Sequence, residues 1–146
     1  MDLLIVEPLE DEVAHWLASR HTVRLAPELA LDAHALRHAL YDVRALVIPP
    51  SVALDARALH DAPMLKAVGC VGARADQVDV EACARAGVEV VCCPAASAQA
   101  EAEFMIGALL SMLRRAPVVG GDGRRMGREL GGSTVGLVGM APAARA

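Results

Sequence analysis

The chain has 146 residues, 55% of them apolar, and a formal net charge of -4 from 14 Lys plus Arg against 18 Asp plus Glu. A chain of this length buries roughly 70% of the surface its unfolded form exposes, so one conventional core needs no disulfide or metal staple and disorder is excluded. Only Trp16, Tyr41 and Phe104 are aromatic, so the core is expected to be aliphatic, and binding of nucleic acid by aromatic base stacking is excluded.

Leu3 to Val6 is a short apolar run followed by turn chemistry at Pro8, which predicts a buried strand. From Glu10 onward Val13, Trp16 and Leu17 recur at helical spacing, and Glu10, Asp11 and Glu12 fall in the first turn, where they complement the helix dipole. His21 to Leu25 follows as a second strand, Leu31 to Leu40 as a second helix, and Ala45 to Ile48 as a third strand closed by Pro49-Pro50. Leu65 to Val68 (strand), Val80 to Ala86 (helix, ended by Gly87) and Val88 to Val91 (strand) repeat the pattern. Strands that alternate with helices and stay apolar throughout predict a doubly wound parallel α/β sheet. Ser97 to Arg115 reads as a longer helix with Ser97 as N-cap, Glu101 and Glu103 early, and a stripe of Phe104, Leu109, Met112 and Leu113 before Pro117 stops it. Thr134 to Val138 is a β-branched run, a candidate sixth strand leading into Gly139.

Charge is uneven: Met1 to Glu103 carries 16 acids and 8 bases, net -8, and Phe104 to Ala146 carries 2 acids and 6 bases, net +4. The five arginines from Arg114 to Arg128, set among glycines, read as a solvated connecting loop rather than a basic arm, because the acidic remainder repels nucleic acid. Met1-Asp2-Leu3-Leu4-Ile5-Val6-Glu7 has no basic region ahead of an apolar one, and apolar runs fall well short of a membrane span. A cytoplasmic protein with no membrane or nucleic-acid partner is expected. Cys70, Cys83, Cys92 and Cys93 form no C-x-x-C pair and read as buried reduced thiols. His34 and His38 share a helix face, but no carboxylate or Cys completes a metal set in the sequence, so these, with His15 and His60, read as surface histidines.

The most informative chemistry lies at Gly136-Leu137-Val138-Gly139-Met140-Ala141-Pro142-Ala143-Ala144, where a strand delivers a tight turn into a helix, the layout of a dinucleotide-binding fingerprint. In G-x-G-x-x-G the three positions here are Gly139, Ala141 and Ala144. Ala is accepted at the third, whereas at the second it puts a methyl where the pyrophosphate comes nearest. Pro142 suits a first helical position, where a missing N–H is harmless. An Ala-rich helix start is the other reading of the same string.

Three blocks in order resemble the D-isomer-specific 2-hydroxyacid dehydrogenases, a family that includes phosphoglycerate, glycerate and D-lactate dehydrogenases. Leu65-Lys66-Ala67-Val68-Gly69-Cys70-Val71-Gly72-Ala73-Arg74-Ala75-Asp76-Gln77-Val78-Asp79 is similar to L-K-x-V-x-R-x-G-x-G-x-D-N-V-D. Ala86-Gly87-Val88-Glu89-Val90-Val91-Cys92-Cys93-Pro94, followed by Ala102-Glu103, resembles A-x-G-I-x-V-x-N-x-P and its downstream A-E. Gly127-Arg128-Glu129-Leu130-Gly131-Gly132-Ser133-Thr134-Val135-Gly136-Leu137-Val138-Gly139 resembles G-x-E-L-x-G-K-T-x-G-I-x-G.

The resemblance implies a flavodoxin-like substrate domain over residues 1–96. Residues 97–146 would then hold the interdomain helix and the first strand of a truncated NAD(P)-binding Rossmann domain. It implies the N-terminal part of an NAD(P)-dependent oxidoreductase acting on a small D-2-hydroxy acid or its 2-keto partner, with 3-phosphoglycerate-like acids in range, and a homodimer. Gly72, Ala73 and Arg74 are the expected substrate-binding residues, and Gly139, Met140, Ala141, Pro142, Ala143 and Ala144 the expected cofactor-binding ones. The family's catalytic Arg and its Glu–His pair fall beyond Ala146. The 146 residues alone are therefore expected to be inactive and to bind neither NAD nor NADP, and no metal is expected.

Departures from the family pattern fall at functional positions. Gly72-Ala73-Arg74 stands where Gly-x-Gly offers backbone N–H groups to the substrate carboxylate, and Arg takes a positive φ less cheaply than Gly. Arg74 either reads a second anionic group on the substrate or forms a weak surface ion pair with Asp76. Between Pro117 and Gly127 the arm is short and lacks the family's Trp. A non-catalytic, stand-alone α/β binding or regulatory module is the alternative function. A phosphoacceptor receiver is excluded, because its third strand would have to end in Asp and ends here Ile48-Pro49-Pro50.

Overall fold

The computed structural model describes residues 1–72, 74–114 and 127–146. They form two compact units, Met1–Cys93 and Pro94–Ala146. In the first, strands β1 (Leu3–Ile5), β2 (Val23–Leu25), β3 (Ala45–Ile48), β4 (Ala67–Cys70) and β5 (Glu89–Cys92) alternate with helices α1 (Asp11–Ala18), α2 (Ala33–Ala39), α3 (Ala56–His60) and α4 (Val80–Ala86). The sheet is parallel throughout, in the order β2-β1-β3-β4-β5. This is the flavodoxin-like doubly wound arrangement that the alternation predicts.

Helix boundaries follow from side-chain caps. Asp32 accepts from the N–H groups of His34 and Ala35, Asp55 from Ala58, and Asp79 from Ala82. Gly87 ends α4 in the left-handed conformation, with its N–H on the Ala84 and Cys83 carbonyls. Asp32 also corrects the second helix: it starts at Ala33 rather than Leu31, because Pro27–Leu31 is a separate 3-10 turn and the cap begins a new helix. α3 is absent from the sequence reading, since five residues are too few to show a period.

The core is aliphatic, as expected: Leu4, Ile5, Leu40, Leu46, Ile48, Leu54, Leu65 and Val68 are fully buried. β3 and β4 alternate buried with half-buried residues, so one sheet face is sealed and the other only partly covered. α1 buries no side chain, and Trp16 lies exposed beneath the Arg20 guanidinium, 4.3 Å from the ring centroid.

The second unit carries α5 (Ala98–Arg114) and a 3-10 turn, Pro142–Ala144, packed together. Ser97 precedes α5 and donates through its hydroxyl to Glu101. The sixth strand is not formed. Thr134 to Val138 lacks strand structure and is exposed, because a β-branched run becomes a strand only against a ladder partner and none is present among the described residues. The interior of the Arg114–Arg128 segment lies outside the described residues. No helix among the described residues is long and apolar enough to cross a membrane.

Candidate functional site

Parallel strands deliver all their carboxyl ends to one edge of the sheet, where open α/β sheets bind ligands. β4 is the strand of interest. Its ladder runs one residue past its end, with the Val71 N–H donating to the Ile48 carbonyl at 3.0 Å. Gly72 then turns with φ +119°. An added Cβ would find ordinary space, 3.8 Å from Pro50 Cγ, so the backbone conformation rather than crowding calls for glycine there.

The far end of this loop is pinned as firmly. Leu54 N–H donates to the Gln77 carbonyl and Asp79 N–H to the Leu54 carbonyl, both at 2.9 Å, making a parallel bridge between Leu54 and Val78. Asp79 then caps α4. Between the two anchors the N–H groups of Gly72 and Arg74 have no hydrogen-bond acceptor among the described residues. They border an open recess of about 500 Å³ lined by Pro50, Val71, Gly72, Arg74, Asp76 and Gln77.

Arg74 Nε lies 2.8 Å from Asp76 Oδ2, with both side chains exposed. The surface ion pair weighed from the sequence is therefore formed, on the rim of the recess. Such a pair contributes about 0–1 kcal/mol, so an incoming carboxylate can take the place of Asp76 at little cost. Gln77 Nε2 is buried with no hydrogen-bond partner among the described residues. Of the residues expected at the substrate, Gly72 and Arg74 come together, and Ala73 lies outside the described residues. Pro50 and Gln77 were not singled out from the sequence. Pro49-Pro50 at the end of a central strand was the available signal, since it marks the carboxyl end of a neighbour of β4.

The thiols near this edge differ in their surroundings. Cys70 and Cys92 are register partners across β4 and β5. Burial, followed by the neighbouring Cys92, pushes the Cys70 thiol up to about 11, so it stays protonated at neutral pH. Burial, then the Asp79 charge, raises Cys83. The expectation of four buried thiols is corrected: Cys92 is half-buried and Cys93 exposed, because β5 ends at Cys92 and Cys93 lies on the turn toward Pro94.

In the second unit Gly139 has φ +98° with open space around it, and Pro142 opens the 3-10 turn, with the Ala144 N–H on the Ala141 carbonyl at 2.9 Å. These two residues fit the tight turn and helix entry of a dinucleotide site. Ala141 stands at the position of the fingerprint's second glycine. Ala143 is buried and Met140 exposed.

Residues 3–138 match the family model for the D-isomer specific 2-hydroxyacid dehydrogenase, catalytic domain. The chain belongs to the D-isomer-specific 2-hydroxyacid dehydrogenase family. It is 26% identical over 148 residues to the D-3-phosphoglycerate dehydrogenase of Archaeoglobus fulgidus, covering 96% of this chain and 28% of that protein. It is 31% identical over 153 residues to the (S)-sulfolactate dehydrogenase of Chromohalobacter salexigens, covering 99% and 49%. The crystal structure of a glyoxylate reductase from Paecilomyes thermophila matches with a TM-score of 0.73 at 22% identity, covering 99% of this chain and 50% of that one; at this identity the likeness is one of fold. This dehydrogenase-family chain thus spans about a quarter to a half of the length of these relatives.

Proposed function

We propose that the chain is the N-terminal part of an NAD(P)-dependent oxidoreductase that interconverts a small D-2-hydroxy acid and its 2-keto acid, with 3-phosphoglycerate-like acids in its range. The observation that carries the reading is the recess after β4, where Gly72 turns at positive φ and the Gly72 and Arg74 amides stand without acceptors among the described residues, beside a guanidinium. Available N–H donors and a cation on one recess are groups that suit a carboxylate.

In this reading residues 1–96 form the substrate domain and residues 97–146 open the cofactor domain. Gly72, Ala73 and Arg74 hold the substrate carboxylate. Gly139, Met140, Ala141, Pro142, Ala143 and Ala144 hold the pyrophosphate of the nicotinamide cofactor, which supplies the hydride acceptor when bound. The Arg and the Glu–His pair that handle the substrate's carboxylate and hydroxyl proton belong to sequence beyond Ala146, and the working enzyme is a homodimer.

The test is a protein extended past Ala146, assayed with NAD and NADP against a panel of D-2-hydroxy acids. Oxidation of at least one acid is expected. Failure on the whole panel by a folded protein would favour a non-catalytic binding module instead.

A further inference from the structure

A second recess in Met1–Cys93, of about 600 Å³, brings His34, Arg37 and His38 of α2 together with Arg57, His60 and Asp61 at the end of α3. We propose that His34 and His38 chelate a divalent transition-metal ion here, with His60 or Asp61 as a third protein ligand, so that the ion clips α2 to α3.

The geometry of the pair carries the inference. The Asp32 cap fixes the first turn of α2 by accepting from the His34 and Ala35 N–H groups at 2.9 and 3.0 Å. One turn apart, the two imidazoles face each other with Nε2 to Nε2 at 3.4 Å, ring centroids 4.5 Å apart and planes at 63°. Two nitrogen ligands held about 2.0–2.1 Å from a tetrahedral ion are themselves about 3.4 Å apart. The Nε2 separation already suits one ion, and an outward swing of the ring bodies, on side chains exposed at the helix surface, turns both nitrogens onto it.

The sequence alone offers only the pair; the fold supplies the rest, by carrying His60 and Asp61 to the same recess from 22 and 23 residues beyond His38. Among the described residues no three of His, Cys, Asp and Glu yet converge on one point, so the third ligand arrives by a side-chain rotation of His60 or Asp61, both of them exposed. Asp61 has no ion-pair partner among the described residues. Arg37 and Arg57 oppose a cation, but the recess opens to solvent, where salt screens them. Imidazole ligands select zinc, copper, nickel or cobalt over magnesium or calcium.

The test is a zinc(II) titration of the intact chain by calorimetry, in a Cys92→Ser, Cys93→Ser background that removes the accessible thiols as competing ligands. One zinc per chain is expected, with shifts of the His34 and His38 imidazole resonances and a rise in Tm, since the ion binds the folded state. Loss of groups that merely support metal ligands costs about 10–100-fold, so His34→Ala and His38→Ala should each weaken binding at least about tenfold. One of His60→Ala and Asp61→Asn should also weaken it. Absence of binding, or binding undiminished in His34→Ala and His38→Ala, would overturn the site. Unchanged affinity in both α3 variants would overturn the clip.

Discussion

The same kinds of apolar residue meet opposite fates in the two halves of the chain. In Met1–Cys93, Leu4, Leu46, Ile48 and Val68 are withdrawn from solvent completely, whereas among the described residues of Pro94–Ala146 only Ala98, Ala102 and Ala143 are buried and Phe104, Met112, Leu137 and Val138 stand exposed. Both halves carry aliphatic residues of the same kinds. Each strand of the first half has a ladder neighbour in register, and a paired sheet presents a surface that helices can cover. Thr134 to Val138 has the β-branched residues of a strand and no such neighbour among the described residues. Propensity for strand is a fit to a partner and a half-buried surface, not a property that a segment keeps alone.

Core truncation should expose this contrast most strongly. Leu46→Ala in β3 is expected to destabilise the protein by about 3 kcal/mol, within the range for buried leucines. Leu137→Ala, on a side chain already largely in solvent, should stay within about 0.5 kcal/mol. Urea unfolding monitored by circular dichroism gives both numbers, and equal losses would dissolve the distinction between the halves.

Local devices come next. Asp79→Ala removes the side-chain cap of α4, the helix that follows the loop after β4, and should cost about 1 kcal/mol. Gly87→Ala forces a side chain onto φ +70° and should cost about as much. If urea unfolding returned wild-type stability for both, α4 would have to be held by something other than these termini.

The smallest effect is in the acid limb. Hydrogen bonds from the Ala35 N–H, then the His34 N–H, hold the Asp32 carboxyl below its ordinary value. A lowered folded-state value means that the stabilisation is present above the ordinary carboxylate range and is lost as pH falls through it toward the folded value. Asp32→Asn keeps an acceptor for the cap but cannot titrate. Its unfolding midpoint should therefore change less than that of the wild type over the same acid interval, and parallel acid limbs would refute the assignment.

These contrasts also explain how much was legible beforehand. The sheet was, because Leu3 to Ile5, Ala45 to Ile48 and the segment from Val80 to Cys92 carry apolar runs and punctuation that leave one parallel arrangement. The core composition was legible from the near absence of aromatics. α3 was not, since its five residues show only a cap, Asp55. β4 begins two residues later than Leu65 because Leu65 belongs to the core turn that precedes the ladder, its N–H on the Ala62 carbonyl. At the candidate site, Gly72 and Arg74 were named from the motif. Pro50 and Gln77 required the fold, since Pro50 follows β3 and the Leu54–Val78 bridge fixes Gln77. The sixth strand failed because pairing is non-local and a run of residues does not reveal whether its partner is present.

The central claim is that the loop after β4 receives a carboxylate, and amide NMR of this chain titrated with D-glycerate tests it most directly. The account predicts that the largest shifts fall on the Gly72 and Arg74 amides, with Gln77 following and Gly139 unmoved. Shifts centred elsewhere, with the Gly72 and Arg74 amides unchanged at saturating acid, would contradict it.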